Sequence, residues 1–248
     1  MFIQGGQKMS FNWIDENKFL KAVEINPDTE LVTVKIDGMN SFKMYRNFLK
    51  NPDLYVEVMQ QFPVISTQWK RTGGFAPGWR QEIPPYAAAT IVERIRKDVE
   101  FAPVRVFTNV FTGDMPMLEN SEQPHADVFV DPEGGLNVIN FVFNLWMCEG
   151  IGGTAFWEWR GKKYVTELNK EEYDELFPEV ASNLTRPWQC FRGNEDWKLD
   201  TVAPIEYNSC LIYDGGYFHS AFVPEAAFLD EHRYSLVGMG IRQANEQK

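Results

Sequence analysis

Short runs of β-branched and aromatic residues, separated by turn-forming residues, fill the chain after Pro103. This feature limits the fold more than any other, because regularly spaced short strands close into sandwiches or barrels. The runs are VRVFTNVF (104–111), HADVFV (125–130), LNVINFVFNLW (136–146), GGTAFWEW (152–159), KKYVTEL (162–168), SCLIYDGG (209–216), SAFVP (220–224) and YSLVGMGIR (234–242). A β-rich unit is therefore predicted over 104–242.

The first hundred residues have a different sequence pattern, which indicates mainly helices. Asn51 and Pro52 form an N-cap and first-turn pair, and apolar residues recur at Ile91, Ile95 and Val99 as one helical stripe. The predicted elements are a strand at 31–39, helices at 41–50, 52–62 and 87–100, and a long Gly-, Pro- and Trp-rich loop at 64–85. We expect 1–103 to be a helical support for the β-rich unit.

One further helix interrupts the strands. Asn169 followed by Glu172 is a capping box, and Pro178 ends the segment. We interpret 169–203, approximately, as an insertion in the β-rich unit. The whole chain, 1–248, is then predicted to be one α+β domain that is mainly β, with the N-terminal helices packed on one sheet.

His125 and Asp127 stand two positions apart in the second run. On a strand, residues i and i+2 point to the same face, so this spacing presents an imidazole and a carboxylate side by side. That pair suits two neighbouring positions on a divalent metal. Taken alone, the same pair is as easily explained as ordinary surface polarity.

His219 follows the strand SCLIYDGG and its Gly-Gly turn, which places it at the start of the next strand. Two histidines and one carboxylate from distant strands make the facial triad that non-haem Fe(II) favours. The sequence therefore predicts a metal site formed by His125, Asp127 and His219. His232, beside Glu231, is expected to be a solvated loop residue.

Arg233 and Ser235 share one face of the last strand. A buried arginine requires an anion, and its planar fork suits a carboxylate, to which the serine hydroxyl adds a hydrogen bond. Arg242 has the opposite parity and lies near the chain end, so it is a weaker candidate. The alternative for Ser235 is an ordinary strand serine.

Together, these residues resemble the Fe(II)- and 2-oxoglutarate-dependent oxygenases, whose pattern is H-x-D, a distant H and then R-x-S. The segment GGTAFW (152–157) is also similar to a Gly-Gly segment of the prolyl-hydroxylase-like members. The chain further resembles small bacterial and phage relatives of this superfamily. The resemblance covers roughly 104–242. It implies a double-stranded β-helix (jelly-roll) fold, with His125, Asp127 and His219 as catalytic iron ligands.

The resemblance further implies that 2-oxoglutarate chelates the iron and that its distal carboxylate lies against Arg233 and Ser235. O2 would be the second co-substrate, and a small molecule or a peptide residue would be hydroxylated. Prolyl 4-hydroxylases usually carry lysine where this chain has Arg233, so a proline substrate does not follow. Halogenating members lack the carboxylate, so the presence of Asp127 favours hydroxylation.

Composition narrows the partners and the location. The formal charge of −11 disfavours duplex nucleic acid as a partner. Cys148, Cys190 and Cys210 form no C-x-x-C pair, and scattered single cysteines fit a reducing compartment. We find no signal-peptide pattern and no apolar run long enough for a membrane span. A cytoplasmic protein is therefore expected, and the sequence is silent on its oligomeric state.

Two sets of residues have less certain roles. Asn140 and Asn144 share a strand face and either reach into the barrel or bond to neighbouring backbone. Loops on a rigid scaffold often control specificity, so two loops are expected to form lids. Their marked residues are Trp69, Trp79 and Arg80 in one loop, and Trp188, Arg192 and Trp197 in the other.

Two other functions compete with the oxygenase. A cupin-like metalloenzyme would share the barrel, but cupins usually cluster more histidines than the three in this chain. A jelly-roll that has lost catalysis and serves as a binding module is the non-enzyme alternative. Such a module would have no reason to keep all three parts of the motif.

Overall fold

The computed structural model describes residues 15–34, 42–62, 65–66, 79–111, 116–118, 124–130, 136–148, 152–177, 184–187, 190–224 and 232–242. The helices are α1 (Glu16–Ala22), α2 (Pro52–Met59), α3 (Pro85–Arg96) and α4 (Lys170–Leu176), with a 3-10 turn at Val165–Glu167. The strands are β1 (Glu30–Val34), β2 (Phe42–Arg46), β3 (Ile65–Ser66), β4 (Trp79–Gln81), β5 (Ala102–Phe111), β6 (Pro116–Leu118), β7 (Val128–Val130), β8 (Leu136–Val138), β9 (Phe141–Trp146), β10 (Gly153–Trp159), β11 (Leu184–Pro187), β12 (Trp197–Pro204), β13 (Ser209–Tyr213), β14 (His219–Phe222) and β15 (Arg233–Ile241).

One large sheet organises the molecule. Its strand order is β1-β2-β13-β9-β15-β5-β4-β3, and all its pairings are antiparallel. Helices α1, α2 and α3 bury their apolar faces against one side of it. Phe19, Tyr55 and Ile91 from these helices share a core with Phe143 and Leu236 of the sheet. The expected packing of N-terminal helices on one sheet is thus observed.

A smaller sheet, β12-β10-β14, faces the other side of the large one. Residues of both sheets line a common cavity, with β5, β9, β13 and β15 on one side and β10 and β14 on the other. Strand β12, which closes the segment expected as an insertion, pairs with β10. The fold is therefore mainly β, with antiparallel sheets enclosing the cavity and helices covering the outer face of the large sheet.

Local sequence signals predicted several element boundaries correctly. Helix α2 begins at Pro52 after Asn51 as its N-cap residue. The Asn169 side chain accepts from the Glu172 N–H while the Glu172 carboxylate accepts from the Asn169 N–H, which is the expected capping box. Pro178 lies outside the described residues.

Three local predictions were wrong or incomplete. Residues 42–46 form β2 rather than a helix, because they pair with β1 and β13. KKYVTEL forms the 3-10 turn rather than a strand. The run 136–146 is divided into β8 and β9, because β8 pairs with β7 in a two-stranded sheet whereas β9 pairs with β13 and β15 in the large sheet.

No helix among the described residues is long and apolar enough to cross a bilayer.

Candidate metal centre

A two-residue β-bridge holds the two candidate histidines opposite each other. The His125 N–H donates to the His219 carbonyl at 2.9 Å, and the His219 N–H donates back at 2.8 Å. Their ring centroids are 4.4 Å apart. His125 is thus fixed by this bridge, since the regular strand β7 begins three residues later.

Asp127 is held from both sides of its backbone. Its N–H donates to the Gly215 carbonyl at 2.7 Å, and its carbonyl accepts from Ile139. A Cβ at Gly215 would lie 2.5 Å from the Ile139 carbonyl oxygen and 2.9 Å from the Asp127 Cβ. Only glycine permits this close approach, which explains the Gly-Gly turn before His219.

The side chains of the three residues converge on one point. Asp127 Oδ1 lies 3.9 Å from His125 Nε2, and Asp127 Oδ2 lies 3.4 Å from His219 Nε2. One ligand atom from each residue falls within 4.8 Å of the others. Neighbouring ligand atoms on one first-row metal at about 2.0–2.2 Å lie about 3 to 3.6 Å apart. The three side chains could therefore hold one divalent ion after moving closer together by about 1 Å.

The chemistry of the three groups also fits a metal. The His219 Nδ1 atom lies 2.8 Å from the Tyr217 carbonyl, which can only accept, so Nδ1 carries the hydrogen and Nε2 presents its lone pair. Such a backbone contact orients metal-ligating histidines. Asp127 is 5 % exposed, and a carboxylate so deeply buried is stabilised by a neighbouring cation.

A cavity connects this site to the predicted anion-binding residues. The cavity has room for several water molecules. Its polar walls come from the metal-site residues and from other polar side chains of both sheets. The full lining is Phe107, Asn109, His125, Asp127, Val142, Asn144, Thr154, Tyr213, His219, Ser220, Ala221, Arg233, Ser235, Val237 and Met239.

Arg233 and Ser235 lie in the wall of this cavity, on the same face of β15. Each is 3 % exposed. The Arg233 Nη2 donates to the Gly153 carbonyl at 3.3 Å, and burial lowers the pKa of the guanidinium. A cation buried in a cavity wall is suited to binding an anion that enters the cavity.

Arg242, ranked below Arg233 from the sequence, lies elsewhere. Its guanidinium stands 5.4 Å from the centroid of the Phe141 ring, and its N–H donates to Asn140 Oδ1 at 2.6 Å. The alternative of a backbone hydrogen bond therefore holds for Asn140. Asn144 instead lines the cavity, and His232 is exposed as expected.

Sequence reasoning missed Tyr213, a buried cavity-wall residue whose hydroxyl accepts a hydrogen bond from Asn144 Nδ2 at 3.3 Å. Burial and the nearby Asp127 carboxylate raise the pKa of Tyr213 well above its usual value. Its side of the sheet depends on the pairing of β13 with β9. In the sequence, the only sign of a role for Tyr213 was its position shortly before the Gly-Gly turn and the second histidine.

The expected lid residues have mixed outcomes. Trp69 and Trp188 lie outside the described residues. Trp197 is 4 % exposed and belongs to a hydrophobic cluster, so its assignment to a lid was wrong. Arg80 stacks on Phe107, with 4.0 Å from the guanidinium carbon to the ring centroid. Arg192 is exposed near Phe222, 5.7 Å from its ring centroid.

Comparisons with known proteins gave matches among solved structures. An oxidoreductase of the 2OG-Fe(II) oxygenase family from Burkholderia pseudomallei is 12 % identical and aligns over 92 % of this chain and 79 % of its own, with a TM-score of 0.32. The E. coli protein ycfD is 10 % identical and aligns over 94 % of this chain and 47 % of its own, with a TM-score of 0.28.

At these TM-scores, neither match identifies the fold or the function of this chain. This chain spans about half the length of the E. coli protein. No protein-family model matches the chain. No curated protein sequence matches it either.

Proposed function

We propose that this chain is an Fe(II)- and 2-oxoglutarate-dependent dioxygenase that hydroxylates an unactivated C–H bond of an amino acid, a peptide residue or a small metabolite. One observation carries the proposal. A single cavity contains the His125–Asp127–His219 cluster and the buried Arg233 with Ser235. A metal site and a carboxylate site in one cavity match the two ends of a chelating keto acid.

The proposed fold is a double-stranded β-helix, or jelly-roll, within one domain. Two antiparallel sheets that face each other across a cavity support it. Active-site residues come from β14, β15 and the segment before β7, so residues distant in sequence meet between the sheets.

In the proposed reaction His125, Asp127 and His219 would hold Fe(II). The bound ion would activate O2, the oxidant, so that 2-oxoglutarate takes up one oxygen atom and gives succinate and CO2, and the other oxygen atom converts a C–H bond to C–OH. Arg233 pairs with the distal carboxylate of the keto acid, and the Ser235 hydroxyl donates to it. The Tyr217 carbonyl keeps the His219 ring oriented.

The apolar part of the cavity wall protects the reaction from water. Phe107, Val142, Val237 and Met239 line it between the polar groups. Excluding water strengthens electrostatic contacts inside a site and prevents side reactions. These side chains also leave the reacting carbon of a substrate in an apolar environment.

Succinate formation tests the proposal. Iron-loaded protein is incubated with 2-oxoglutarate in air, and succinate is measured. We expect succinate from the wild type and at least 100-fold less from His219→Ala. His232→Ala is the matched control, since His232 is exposed and lies outside the cavity.

Equal succinate formation by His219→Ala and the wild type would contradict the proposed function. Tight iron binding by a wild type that forms no succinate would favour a cupin-like metalloenzyme. Failure to bind iron under anaerobic conditions would favour a binding module without catalysis.

A further inference from the structure

Tyr213 lines the cavity beside the metal cluster. Its ring packs edge-on against the His219 ring, with centroids 5.0 Å apart. Its hydroxyl contacts Asn144, which pairs across the sheet with Val237, two residues along the same face of β15 from Ser235. Tyr213 itself pairs with Val142, which pairs with Met239 of β15, so its backbone lies at the end of this cavity face away from Arg233.

The hydrogen bond with Asn144 leaves the phenol proton available. Asn144 Nδ2 donates to the Tyr213 oxygen, so that oxygen is the acceptor in this contact. A phenol also has one proton to donate. Within the described residues, no hydrogen bond takes up that proton.

Burial makes such a donor a binding group. Tyr213 is 7 % exposed, so bulk water has little access to it. A buried donor without an acceptor is unfavourable, whereas a donor that meets an anion forms a strong, charge-assisted bond. The remaining space beside the phenol is the cavity itself.

We propose that Tyr213, oriented by Asn144, donates a hydrogen bond to the metal-bound end of 2-oxoglutarate and so positions this co-substrate. The contact of its ring with His219 places the phenol on the metal side of the cavity rather than beside Arg233. This inference rests on the proposed function and adds a third contact to those of Arg233 and Ser235. Tyr213 is thus a positioning residue for the co-substrate.

The test is an anaerobic titration of iron-loaded Tyr213→Phe with 2-oxoglutarate, followed through the weak visible charge-transfer band of a chelated keto acid. Losing one hydrogen bond to a charged group should weaken 2-oxoglutarate binding about 10-fold or more. The band should also move to shorter wavelength, because the bound keto acid then accepts charge less readily. Fe(II) affinity, measured by competition with a chelator, should change less than about threefold.

Two further variants separate positioning from packing. Asn144→Leu should shift both the band and the 2-oxoglutarate affinity in the same direction by a smaller amount, because it removes only the orienting partner. Tyr55→Phe is the matched control. It also loses a buried hydroxyl, which bonds to Thr108, but it lies in the core on the helix side. Its band and affinity should equal those of the wild type.

Wild-type affinity and an unchanged band in Tyr213→Phe would overturn the inference and leave the Tyr213–Asn144 pair a packing contact. Weaker binding with an unchanged band would place the contact at the distal end and overturn the stated position. If Tyr213→Phe fails to fold, Asn144→Leu decides by the same two measurements. A wild type that forms no band contradicts the proposed function itself, and the inference with it.

Discussion

The two faces of the large sheet differ in how they use the same strands. Along β15, Tyr234 and Leu236 point into the core under the helices, whereas Arg233 and Ser235 point into the cavity. Alternation along a strand makes this division possible. One strand therefore contributes to stability on one side and to the candidate site on the other.

Polar groups on the two faces have different partners. On the helix side, the buried Tyr55 hydroxyl bonds to Thr108 within the protein. On the cavity side, the buried Oδ1 of Asn109 has no hydrogen-bond partner among the described residues. Buried polar groups are nearly always paired. On the helix side, Gln81 donates to two backbone carbonyls, and its own Oε1 has no partner among the described residues. What distinguishes the cavity face is that Asn109 lines an open cavity, where a ligand can complete its hydrogen bonds.

The largest effect on stability is expected from the helix side. Phe19 is fully buried and packs edge-on against Phe62 and Tyr86. Phe19→Ala should lower the free energy of unfolding by about 3–5 kcal/mol, measured by urea denaturation. The exposed neighbour Leu20 provides the control, and Leu20→Ala should cost far less. Altered 2-oxoglutarate affinity in folded Phe19→Ala would break the division between the faces.

The cavity side should respond mainly in ligand binding. Arg233→Met replaces a guanidinium whose charged form is disfavoured by burial with an apolar side chain of similar length. We expect the free energy of unfolding of the metal-free protein to change by less than about 2 kcal/mol, while 2-oxoglutarate binds at least 10-fold more weakly. The exposed Arg192→Met is the control. A strongly destabilised Arg233→Met would show that Arg233 is structural.

The smallest effect concerns an ion pair at the edge of the helix side. Tyr45 donates to Asp98 at 2.6 Å and Arg94 also contacts it, and these bonds lower the pKa of Asp98. A carboxylate with a lowered folded-state pKa adds stability above its usual value of 3.8, and this is lost as the pH falls through the folded-state value. Because Asp98 is partly exposed, the contribution should stay below about 1 kcal/mol.

Urea denaturation at pH 7 and pH 3 measures this contribution. Asp98→Asn should be slightly less stable than the wild type at pH 7, and the difference should narrow at pH 3. Asp28→Asn, at an exposed carboxylate, is the control. A difference that grows at acid pH would contradict the assignment. Iron binding should be unaffected, since Asp98 does not line the cavity.

The sequence predicted the parts of the candidate site that depend on parity and spacing. The H-x-D pair, the histidine after the Gly-Gly turn and the two residues on one face of β15 all lie in one cavity. Their proposed roles stay predictions. The alternation of side chains along a strand is a local property. These residues could therefore be found without knowing which strands pair with each other.

Features that depend on pairing between distant strands could not be predicted. Residues 42–46 have apolar positions that fit one face of a helix, but pairing with β1 and β13 makes them a strand. The contact between Tyr213 and Asn144 depends on the register of β13 against β9. Neither of these strand registers can be predicted from local sequence patterns.

The most direct test of the central claim is the addition of 2-oxoglutarate to anaerobic, Fe(II)-loaded wild-type protein. We expect the weak visible band of a keto acid chelated to iron. It should be absent from His219→Ala and retained in His232→Ala. Iron binding without a band in the wild type would contradict the claim that one cavity holds both the metal and the keto acid.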